Sequence, residues 1–291
     1  MSVKILLVGA GGQVGQAVVR FAFALPIELF AVTRGQLDIT DQAAIVAMLA
    51  KHRPSVVINA AAYTAVDKAE SEPDLAQLIN AQGPEHLAKA CHAAAIPLIH
   101  LSTDYVFDGA KQSAYLESDS VNPQSVYGAS KWAGEQAVRR YCKQHYILRV
   151  SWVFGIDGAN FVKTILRLAC ERSELSIVAD QYGCPTSAAS IADVLVRMAY
   201  LAIESTGYGT YHFSNGPVTT WYEFAQTIVE QARLLTSLKV ESIQPITTLD
   251  YPTPAKRPAN SELNSTLVCK LTGIPLTPWR EELRLVLKAL L

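Results

Sequence analysis

Residues 3–15 read VKILLVGAGGQVG, and this stretch decides the fold. Val3 to Val8 is an apolar, β-branched run of strand length that ends directly in a glycine-rich turn. A helical pattern follows the turn through Ala17, Val18, Phe21 and Ala24. A strand, a glycine turn and a helix in this order form the first unit of a dinucleotide-binding fold, in which the helix amino terminus faces a pyrophosphate.

The glycines of this turn follow the spacing Gly-x-x-Gly-x-x-Gly, which differs from the Gly-x-Gly-x-x-Gly of many two-domain dehydrogenases. Gly9 permits a tight turn, Gly12 lets the backbone approach a pyrophosphate, and Gly15 lets the helix pack close to the strand. A glycine-rich turn without a ligand is the alternative. The predicted cofactor-binding residues of this segment are Gly9, Gly11, Gly12, Gln13, Val14 and Gly15.

Downstream, strand and helix patterns alternate in the way that builds a parallel sheet covered on both faces. Further strands are predicted at 28–32, 56–59, 97–101, 146–150 and 175–178. Helices are predicted at 41–51, 73–95 and 125–144. The fold class is therefore α/β, with a Rossmann-type doubly wound parallel sheet.

The predicted helix 73–95 contains Asn80-Ala81-Gln82-Gly83-Pro84, which is poor helix material. We expect a bend near Asn80. Either two helices are separated by a break, or a polar Asn steers the geometry of the neighbouring helix that carries Tyr127.

Polar clusters follow three of the predicted strands: residues 59–63, 102–105 and 151–152. In doubly wound sheets, ligands lie beyond the carboxyl ends of the strands. We therefore expect these clusters to converge on one crevice.

Tyr127 and Lys131 stand four residues apart in a predicted helix, so a phenol and an ammonium group share one face, one turn apart. A neighbouring cation and the positive end of a helix both favour phenolate, so we expect a lowered Tyr127 pKa and proton exchange near neutral pH. The alternative is a solvated Tyr and Lys on an ordinary helix, because Tyr-x-x-x-Lys is common by chance.

Composition excludes several classes of function. The chain of 291 residues has a net charge of −1, which gives no indication of nucleic-acid binding. No stretch reaches membrane-spanning length without interruption, and the start does not resemble a signal peptide, so we predict a cytoplasmic protein. The five cysteines lack Cys-x-x-Cys pairing and the six histidines lack metal-ligand spacing, so no metal site is predicted.

The chain resembles the extended short-chain dehydrogenases/reductases in the glycine turn, residues 59–62, Asn80-x-x-Gly83, residues 102–107 and Tyr127-x-x-x-Lys131. Over nearly its whole length it resembles, more narrowly, the dTDP-4-dehydrorhamnose reductase family. The narrower resemblance rests on residues 37–41, 65–72, 180–186, 221–225 and 257–261.

This resemblance implies that NAD(P)H delivers a hydride to C4 of dTDP-4-dehydro-L-rhamnose, which yields dTDP-L-rhamnose. It implies Tyr127 as the proton donor, Thr103 as a second hydrogen-bond donor, and Lys131 as the residue that holds the nicotinamide ribose. The chemistry suits these residues because negative charge grows on the carbonyl oxygen as the hydride arrives.

The resemblance also assigns binding residues. Gly12, Gln13 and Val14 are expected at the pyrophosphate, Asp38 and Ile39 at adenine, and Ala60, Ala61, Ala62 and Tyr63 beside nicotinamide. The substrate-side candidates, besides Thr103 and Tyr127, are Asp104, Tyr105 and Trp152, with Arg257, Lys163 and Arg167 for the diphosphate or thymine. Each assignment has an alternative. Asp104 would be an ordinary turn residue, Trp152 would serve core packing, and the three cations would be solvated surface residues.

Charge predicts the coenzyme. An acidic residue after the second strand would hold the 2′-hydroxyl of NADH, but Thr33-Arg34 stands there. NADPH is therefore expected to bind at least as well as NADH. A solvated loop cation is the alternative for Arg34.

Two interleaved domains are expected. Residues 1–152 plus about 187–214 would form the dinucleotide-binding Rossmann domain, and about 153–186 plus 215–291 a smaller α/β substrate-binding domain. The interleaving follows from residues 211–214, which read as a strand that returns to the main sheet.

The oligomeric state is expected to differ from that of some family members, which form a dimer bridged by Mg²⁺ through glutamates. Here Gln16, Ala17, Ala188 and Ala189 occupy those neighbourhoods. Alanine cannot coordinate magnesium and glutamine is a weak substitute for a carboxylate, so a monomer or a metal-free homodimer is expected.

Three functions are left open by the sequence. The first is the reductase, acting on a dTDP-sugar. The second is another sugar-nucleotide oxidoreductase or epimerase, against which Trp152 and residues 257–261 argue. The third is a non-catalytic, NADP-binding regulatory subunit, against which the intact Thr103, Tyr127 and Lys131 argue.

Overall fold

The computed structural model describes residues 3–291. The strands of this part of the chain are β1 (Val3–Val8), β2 (Ile27–Val32), β3 (Val56–Asn59), β4 (Leu98–Thr103), β5 (His145–Val150), β6 (Val153–Phe154), β7 (Glu174–Val178), β8 (Tyr182–Gly183), β9 (Thr186–Ser187), β10 (Gly209–Phe213), β11 (Thr219–Thr220) and β12 (Ser242–Ile246). The α-helices are α1 (Gln13–Phe23), α2 (Gln42–His52), α3 (Val66–Ala69), α4 (Pro73–Gln77), α5 (Gly83–Ala93), α6 (Val126–Tyr141), α7 (Phe161–Glu171), α8 (Ala188–Ile203), α9 (Trp221–Arg233), α10 (Thr266–Thr272) and α11 (Trp279–Leu290).

The central sheet is a Rossmann-type, doubly wound parallel sheet with the strand order β2-β1-β3-β4-β5-β10. The chain leaves β1 for β2 on one side and crosses back through α2 to β3 on the other. The strand order therefore reverses between β1 and β3, and a crevice forms at that switch point.

Both faces of the sheet are buried. In β1, Ile5 and Leu7 join one hydrophobic core with α1 and α8, while Leu6 and Val8 join a second core with α2, α5 and α6. Successive side chains of a strand point to opposite faces, so a strand covered on both faces needs the uninterrupted apolar run seen here. A third core joins Phe154 and Trp279 with α7, α9 and α11.

Most sequence-predicted elements are confirmed. The strands 3–8 and 56–59 have the predicted bounds, and the predicted helix 41–51 is α2, whose Asp41 side chain caps Ala44 N. The predicted returning strand is β10, which pairs in parallel with β5. The division into two domains stays a prediction.

One predicted strand pairs elsewhere. Residues 175–178 lie in β7, which does not join the central sheet but pairs in parallel with β12. That partner reads Ser-Ile-Gln-Pro-Ile, a weak strand pattern, so local sequence gave no sign of it.

Within residues 3–291, no helix has both the length and the apolar character needed to cross a bilayer. In the same part of the chain, no group of three or more His, Cys, Asp or Glu side chains is arranged to hold a metal ion.

Candidate active site

A cavity of 640 Å³ opens at the carboxyl ends of the central strands. Its lining includes many of the predicted site residues: Gly11, Gly12, Gln13, Val14, Ala60, Ala62, Thr103, Asp104, Tyr105, Tyr127, Lys131, Trp152 and Arg257. A second cavity of 230 Å³ is lined by Gly9, Gly11, Gly12, Arg34, Asp38, Ile39, Ala60, Ala61 and Ala62, among others. The two share part of the glycine turn, so they meet there.

The glycine turn leaves room for a ligand at one position and none at two others. Gly9 has φ +85°, and a Cβ there would lie 2.5 Å from Ala61 N. A Cβ on Gly15 would lie 2.2 Å from Gly9 O, so this glycine allows the close packing expected of it. A Cβ on Gly12 would make only an ordinary contact, 3.4 Å from Gly9 O.

The amino end of α1 also fits a pyrophosphate. Its N-cap is Gly12, and within residues 3–291 no side chain caps the helix. The first amide groups of a helix lack partners within the helix and carry the positive end of its dipole. An uncapped helix end beside the space at Gly12 therefore suits a dinucleotide.

Gln13 reaches across the crevice with its side chain. Gln13 Nε2 donates to Val153 O at 3.2 Å, and Asn160 Nδ2 donates to Gln13 Oε1 at 2.7 Å. Asn160 also caps α7 by accepting from Lys163 N. The turn and the start of α7 are thus joined, which leaves the main chain of Gln13 as the part that can meet a phosphate.

Arg34 and Asp38 line the second cavity as an ion pair. Arg34 Nε donates to Asp38 Oδ2 at 3.3 Å, and the Arg34 side chain is 74% exposed. Hydrogen bonds from the amide and hydroxyl of Thr40, followed by Arg34, hold the pKa of Asp38 below its ordinary value. The Arg34 guanidinium thus lies within reach of a group bound in this cavity.

Tyr63 lines neither cavity. Its main chain is held by Asn80, whose Oδ1 accepts from Tyr63 N at 2.8 Å and whose Nδ2 donates to Tyr63 O at 3.0 Å. The phenol donates to Glu72 Oε2 at 2.7 Å. Tyr63 packs against the small buried cluster that contains Tyr127, and its expected cofactor contact stays a prediction.

Tyr127 and Lys131 lie in the first two turns of α6, and both are buried. The Ser125 side chain caps this helix by accepting from Gly128 N at 3.1 Å. Lys131 Nζ donates to Leu101 O at 2.7 Å rather than to the phenol. The amine is thus tied to the end of β4, the strand that also carries Thr103.

The predicted lowering of the Tyr127 pKa is wrong for the cavity as it stands. Burial raises the pKa of Tyr127 above its usual value, and the neighbouring Thr103 hydroxyl offsets only part of that rise. Burial lowers the pKa of Lys131 to about 8, while Glu135 acts in the opposite direction. A phenol with a raised pKa stays protonated at neutral pH, which is the form that a proton donor needs.

Thr103 and Asp104 form a buried pair at the end of β4. Thr103 Oγ1 donates to Asp104 Oδ1 at 3.0 Å, and Asp104 Oδ2 has no hydrogen-bond partner within residues 3–291. Burial raises the pKa of Asp104 to about 6, although hydrogen bonds from Ser261 and Thr103 oppose the rise. The carboxyl therefore gains its charge close to neutral pH.

We expect Asp104→Asn to stabilise the protein at pH 7.5 but not at pH 3.5. The folded-state pKa of about 6 exceeds the ordinary 3.8. Ionisation of Asp104 therefore lowers the free energy of unfolding of the native protein as pH rises from about 4 to 6. Asparagine does not ionise, so the gain in free energy of unfolding should reach at most about 3 kcal/mol above pH 6. Urea denaturation at the two pH values measures it; an equal difference at both would contradict this account.

Asn80 lies in a π-helical turn, Leu78–Gln82, that joins α4 to α5 without a break. Asn80 Nδ2 also donates to Ser130 Oγ at 3.0 Å, and that hydroxyl donates to Tyr127 O at 2.8 Å. Of the two interpretations from the sequence, the structure favours the one in which Asn80 steers the helix that carries Tyr127.

Arg257 reaches the cavity from the loop after β12. Its Nη1 donates to Tyr105 OH at 2.9 Å, and its Nη2 pairs with Asp67 Oδ2 at 2.5 Å. The Tyr105 ring packs edge-on against Tyr127, with 5.5 Å between the ring centroids. The Tyr105 side chain thus connects the Arg257 guanidinium, from a distant segment, to the Tyr127 ring.

Trp152 stands in a strained conformation at the cavity wall. Its φ is +47°, which is unusual for a bulky residue. Its ring stacks on Trp221, with centroids 3.5 Å apart and 10° between the planes. Gly183 lies against the same indole, where a Cβ would be 2.4 Å from Trp152 Cε2. Trp221 and Gly183 therefore fix the position of the indole. Strained backbone conformations of this kind often occur at functional sites.

Several lining residues were not predicted from the sequence. Trp221, Phe161 and Phe224 form an aromatic wall with Trp152. The sequence pattern that could have indicated this wall is Thr220-x-x-Glu223, a capping box that begins α9 and places Trp221 at its first position.

Two predicted cations lie outside this site. Neither Lys163 nor Arg167 lines the cavity, and Arg167 pairs with Glu171 on its own helix at 2.9 Å.

Comparison with known proteins identifies relatives of this arrangement. A family model described as the RmlD substrate binding domain matches residues 3–291. The dTDP-4-dehydrorhamnose reductase of Aggregatibacter actinomycetemcomitans is 42% identical over 285 residues, which cover 97% of each chain. The crystal structure of a dTDP-4-dehydrorhamnose reductase from Clostridium acetobutylicum has a TM-score of 0.92 at 38% identity, with 99% of each chain covered. The Bacillus anthracis dTDP-4-dehydrorhamnose reductase, in complex with NADP, has a TM-score of 0.90 at 37% identity, with 99% of this chain and 100% of that chain covered.

Proposed function

The chain belongs to the dTDP-4-dehydrorhamnose reductase family of oxidoreductases, and from this premise we propose that it reduces the C4 ketone of dTDP-4-dehydro-L-rhamnose to dTDP-L-rhamnose with NADPH. One observation carries the proposal: Tyr127, Lys131 and Thr103 line the same cavity as the glycine turn. A proton donor, a cation and a dinucleotide-binding turn in one cavity are what ketone reduction by a nicotinamide requires.

In this function, bound NADPH supplies the hydride to the carbonyl carbon. Negative charge then develops on the carbonyl oxygen, where Tyr127 donates its proton. The Thr103 hydroxyl turns from Asp104 toward the same oxygen and donates a second hydrogen bond. Lys131, which is cationic below pH about 8, stabilises the phenolate that remains.

The substrate side of the cavity suits a sugar nucleotide. Arg257 supplies positive charge for the diphosphate, and the stacked Trp152 and Trp221 supply an apolar wall. Asp104 and Tyr105 offer polar groups beside the phenol of Tyr127. Together these groups support a dTDP-sugar as the substrate class.

Two observations support the coenzyme. Arg34 supplies a cation for a 2′-phosphate at the second cavity, and the related Bacillus anthracis structure was solved with NADP. We expect the protein to use NADH also, but not in preference to NADPH.

The assembly and location of the chain remain expectations. Gln16, Ala17, Ala188 and Ala189 offer no carboxylate for a magnesium bridge, so we expect a monomer or a metal-free homodimer. We also expect a cytoplasmic enzyme.

The test is the loss of nicotinamide absorbance when purified protein is mixed with NADPH and dTDP-4-dehydrorhamnose. Turnover with this ketone, and weaker turnover with the uridine analogue, supports the proposal. Tight NADPH binding without turnover would favour the regulatory subunit instead. Turnover restricted to a different keto-sugar would favour another sugar-nucleotide oxidoreductase of the superfamily.

We expect Gly183→Ala to raise KM for the sugar nucleotide by about tenfold. The added methyl group would lie 2.4 Å from Trp152 Cε2, so the indole must move away from its stacked position. NADPH affinity, measured by fluorescence titration, serves as the internal control because Gly183 does not line the second cavity. An unchanged KM would show that the position of the indole is irrelevant to the substrate.

A further inference from the structure

A buried ion-pair network lies one helical turn beyond Lys131 on α6. Its centre is the carboxylate of Glu135, which is completely buried. Glu135 Oε1 accepts from Ser102 Oγ at 2.6 Å and from Arg149 Nε at 2.8 Å. Glu135 Oε2 accepts from Arg149 Nη2 at 2.7 Å and from Arg139 Nη2 at 2.9 Å. Both oxygens act only as acceptors, as in an ionised carboxylate.

The network joins the two elements that carry Tyr127, Lys131 and Thr103 to a third element, β5. Glu135 belongs to α6, Ser102 to β4 and Arg149 to β5. Ser102 lies between Leu101, whose carbonyl accepts from Lys131 Nζ at 2.7 Å, and Thr103. The hydrogen bond from Ser102 to Glu135 therefore fixes the strand end on which the Lys131 amine rests.

The charges around Glu135 are unbalanced. One buried carboxylate faces two guanidinium groups, from Arg139 and Arg149, and the nearby ammonium of Lys131. A guanidinium does not release its proton in a protein, whereas a buried ammonium does. If the negative charge were removed, the amine of Lys131 is the group that would become neutral.

Other groups that face Lys131 do not supply this negative charge. On β4, burial and Lys131 itself hold the pKa of His100 well below its usual value, so this ring is neutral. On α6, Tyr127 is protonated at neutral pH. Asp104 is charged above pH about 6, but Glu135 is the carboxylate whose charge raises the pKa of Lys131 against the effect of burial.

We propose that Glu135 is a positioning residue of the reductase, which through Ser102 fixes the strand end that holds the Lys131 amine and places a buried carboxylate one helical turn from that residue. The kinetic part of this inference rests on the proposed function, but the charge of Lys131 can be measured without turnover. Glu135 lines neither cavity, whereas Ser102 and Lys131 line the first, so any effect of Glu135 on the reaction is indirect.

The direct test is an NMR titration of the protein labelled with ¹³Cε-lysine, in which Lys131→Arg identifies the Lys131 signal. We expect Glu135→Gln to lower the titration midpoint of Lys131 by at least about one pH unit, because an opposite charge nearby is lost. Arg139→Gln, at the edge of the network, should shift the midpoint upward, because a competing cation is lost. This opposite shift keeps the test decisive if Glu135→Gln fails to fold.

Glu117→Gln is the matched control. Glu117 accepts from His212 N at 3.0 Å, and His212 Nε2 lies 3.3 Å from Arg149 Nη1, so the change perturbs the same cluster at its other end. We expect no shift of the Lys131 midpoint in this variant. An unchanged midpoint in Glu135→Gln would overturn the proposal, as would an unchanged midpoint in Arg139→Gln if Glu135→Gln does not fold, or a shift in Glu117→Gln equal to that of the folded variant.

Kinetics separate positioning from a merely structural role. In Glu135→Gln the alkaline limb of kcat/KM against pH should move to lower pH by the same amount as the NMR midpoint. A structural role would reduce the amount of folded enzyme without moving that limb. If the wild type shows no reductase activity, the proposed function fails while the NMR result still decides the role of Glu135.

Discussion

Replacing Tyr127 by phenylalanine is expected to lower kcat by about 10²- to 10⁴-fold, the range for loss of a positioned general acid. The substitution removes only the hydroxyl of a buried ring that packs on Tyr105 at 5.5 Å. The Ser125 cap of α6 remains intact. The fold and NADPH affinity should therefore be preserved, so that the loss appears in turnover. Steady-state kinetics and thermal unfolding measure the two parts of this expectation.

Tyr105→Phe is the matched control for this experiment. Tyr105 lines the same cavity, and its hydroxyl accepts from Arg257 Nη1 at 2.9 Å. Its removal costs one hydrogen bond to a cation but no proton donor, so we expect less than a tenfold change in kcat. A Tyr127→Phe enzyme that keeps kcat within tenfold of the wild type would contradict the assigned role.

Gly12→Ala is expected to weaken NADPH binding by about tenfold to a hundredfold, without loss of stability. The backbone of Gly12 has φ −78° and ψ 166°, which alanine adopts freely, and a Cβ would lie 3.4 Å from Gly9 O. The protein thus tolerates the methyl group, but a pyrophosphate at the start of α1 would not. Losing one or two charge-assisted hydrogen bonds corresponds to roughly 1.5–3 kcal/mol.

Gly35→Ala provides the control for this second experiment. Gly35 is exposed in the loop after β2, and no atom of the described residues 3–291 lies within 4 Å of an added Cβ. Fluorescence titration with NADPH should give wild-type affinity for Gly35→Ala and reduced affinity for Gly12→Ala. Equal affinities in the two variants would mean that the pyrophosphate does not approach Gly12.

Features that depend on local sequence were predicted well. The bounds of β1 and β3 follow from short apolar runs, of which one stops at Gly9 and the other at Asn59. Asp41 and Ser125 cap the helices that were expected to begin there. Because consecutive parallel strands deliver their carboxyl ends to one edge, their polar clusters were expected in one crevice, and residues of all three line the cavity.

Features that depend on tertiary packing were not predicted. The sign of the Tyr127 pKa shift was wrong because the depth of burial, which dominates it, is set by β4, α6 and Tyr105 together. Glycine and proline near Asn80 indicated an irregular helix, but the choice of a π turn depends on its packing against α6, where a Cβ on Gly134 would lie 2.1 Å from Asn80 O.

The aromatic wall escaped prediction for a related reason. Trp152, Phe161 and Trp221 come from three separate segments, and each alone is typical of core packing. Similarly, the buried carboxylate of Glu135 meets Ser102 and Arg149 only because α6 crosses β4 and β5. Spacing within one helix gave no sign of these partners.

The central claim is that a hydride passes from the coenzyme to a ketone carbon while Tyr127 protonates the oxygen. Incubating the protein with dTDP-4-dehydrorhamnose and NADPH that carries deuterium at both positions of nicotinamide C4 tests it most directly. The account predicts one deuterium at C4 of the sugar in dTDP-rhamnose, formed in proportion to the coenzyme oxidised, and almost none with Tyr127→Phe. Deuterium at another carbon, product without deuterium, or full transfer by the variant would contradict it.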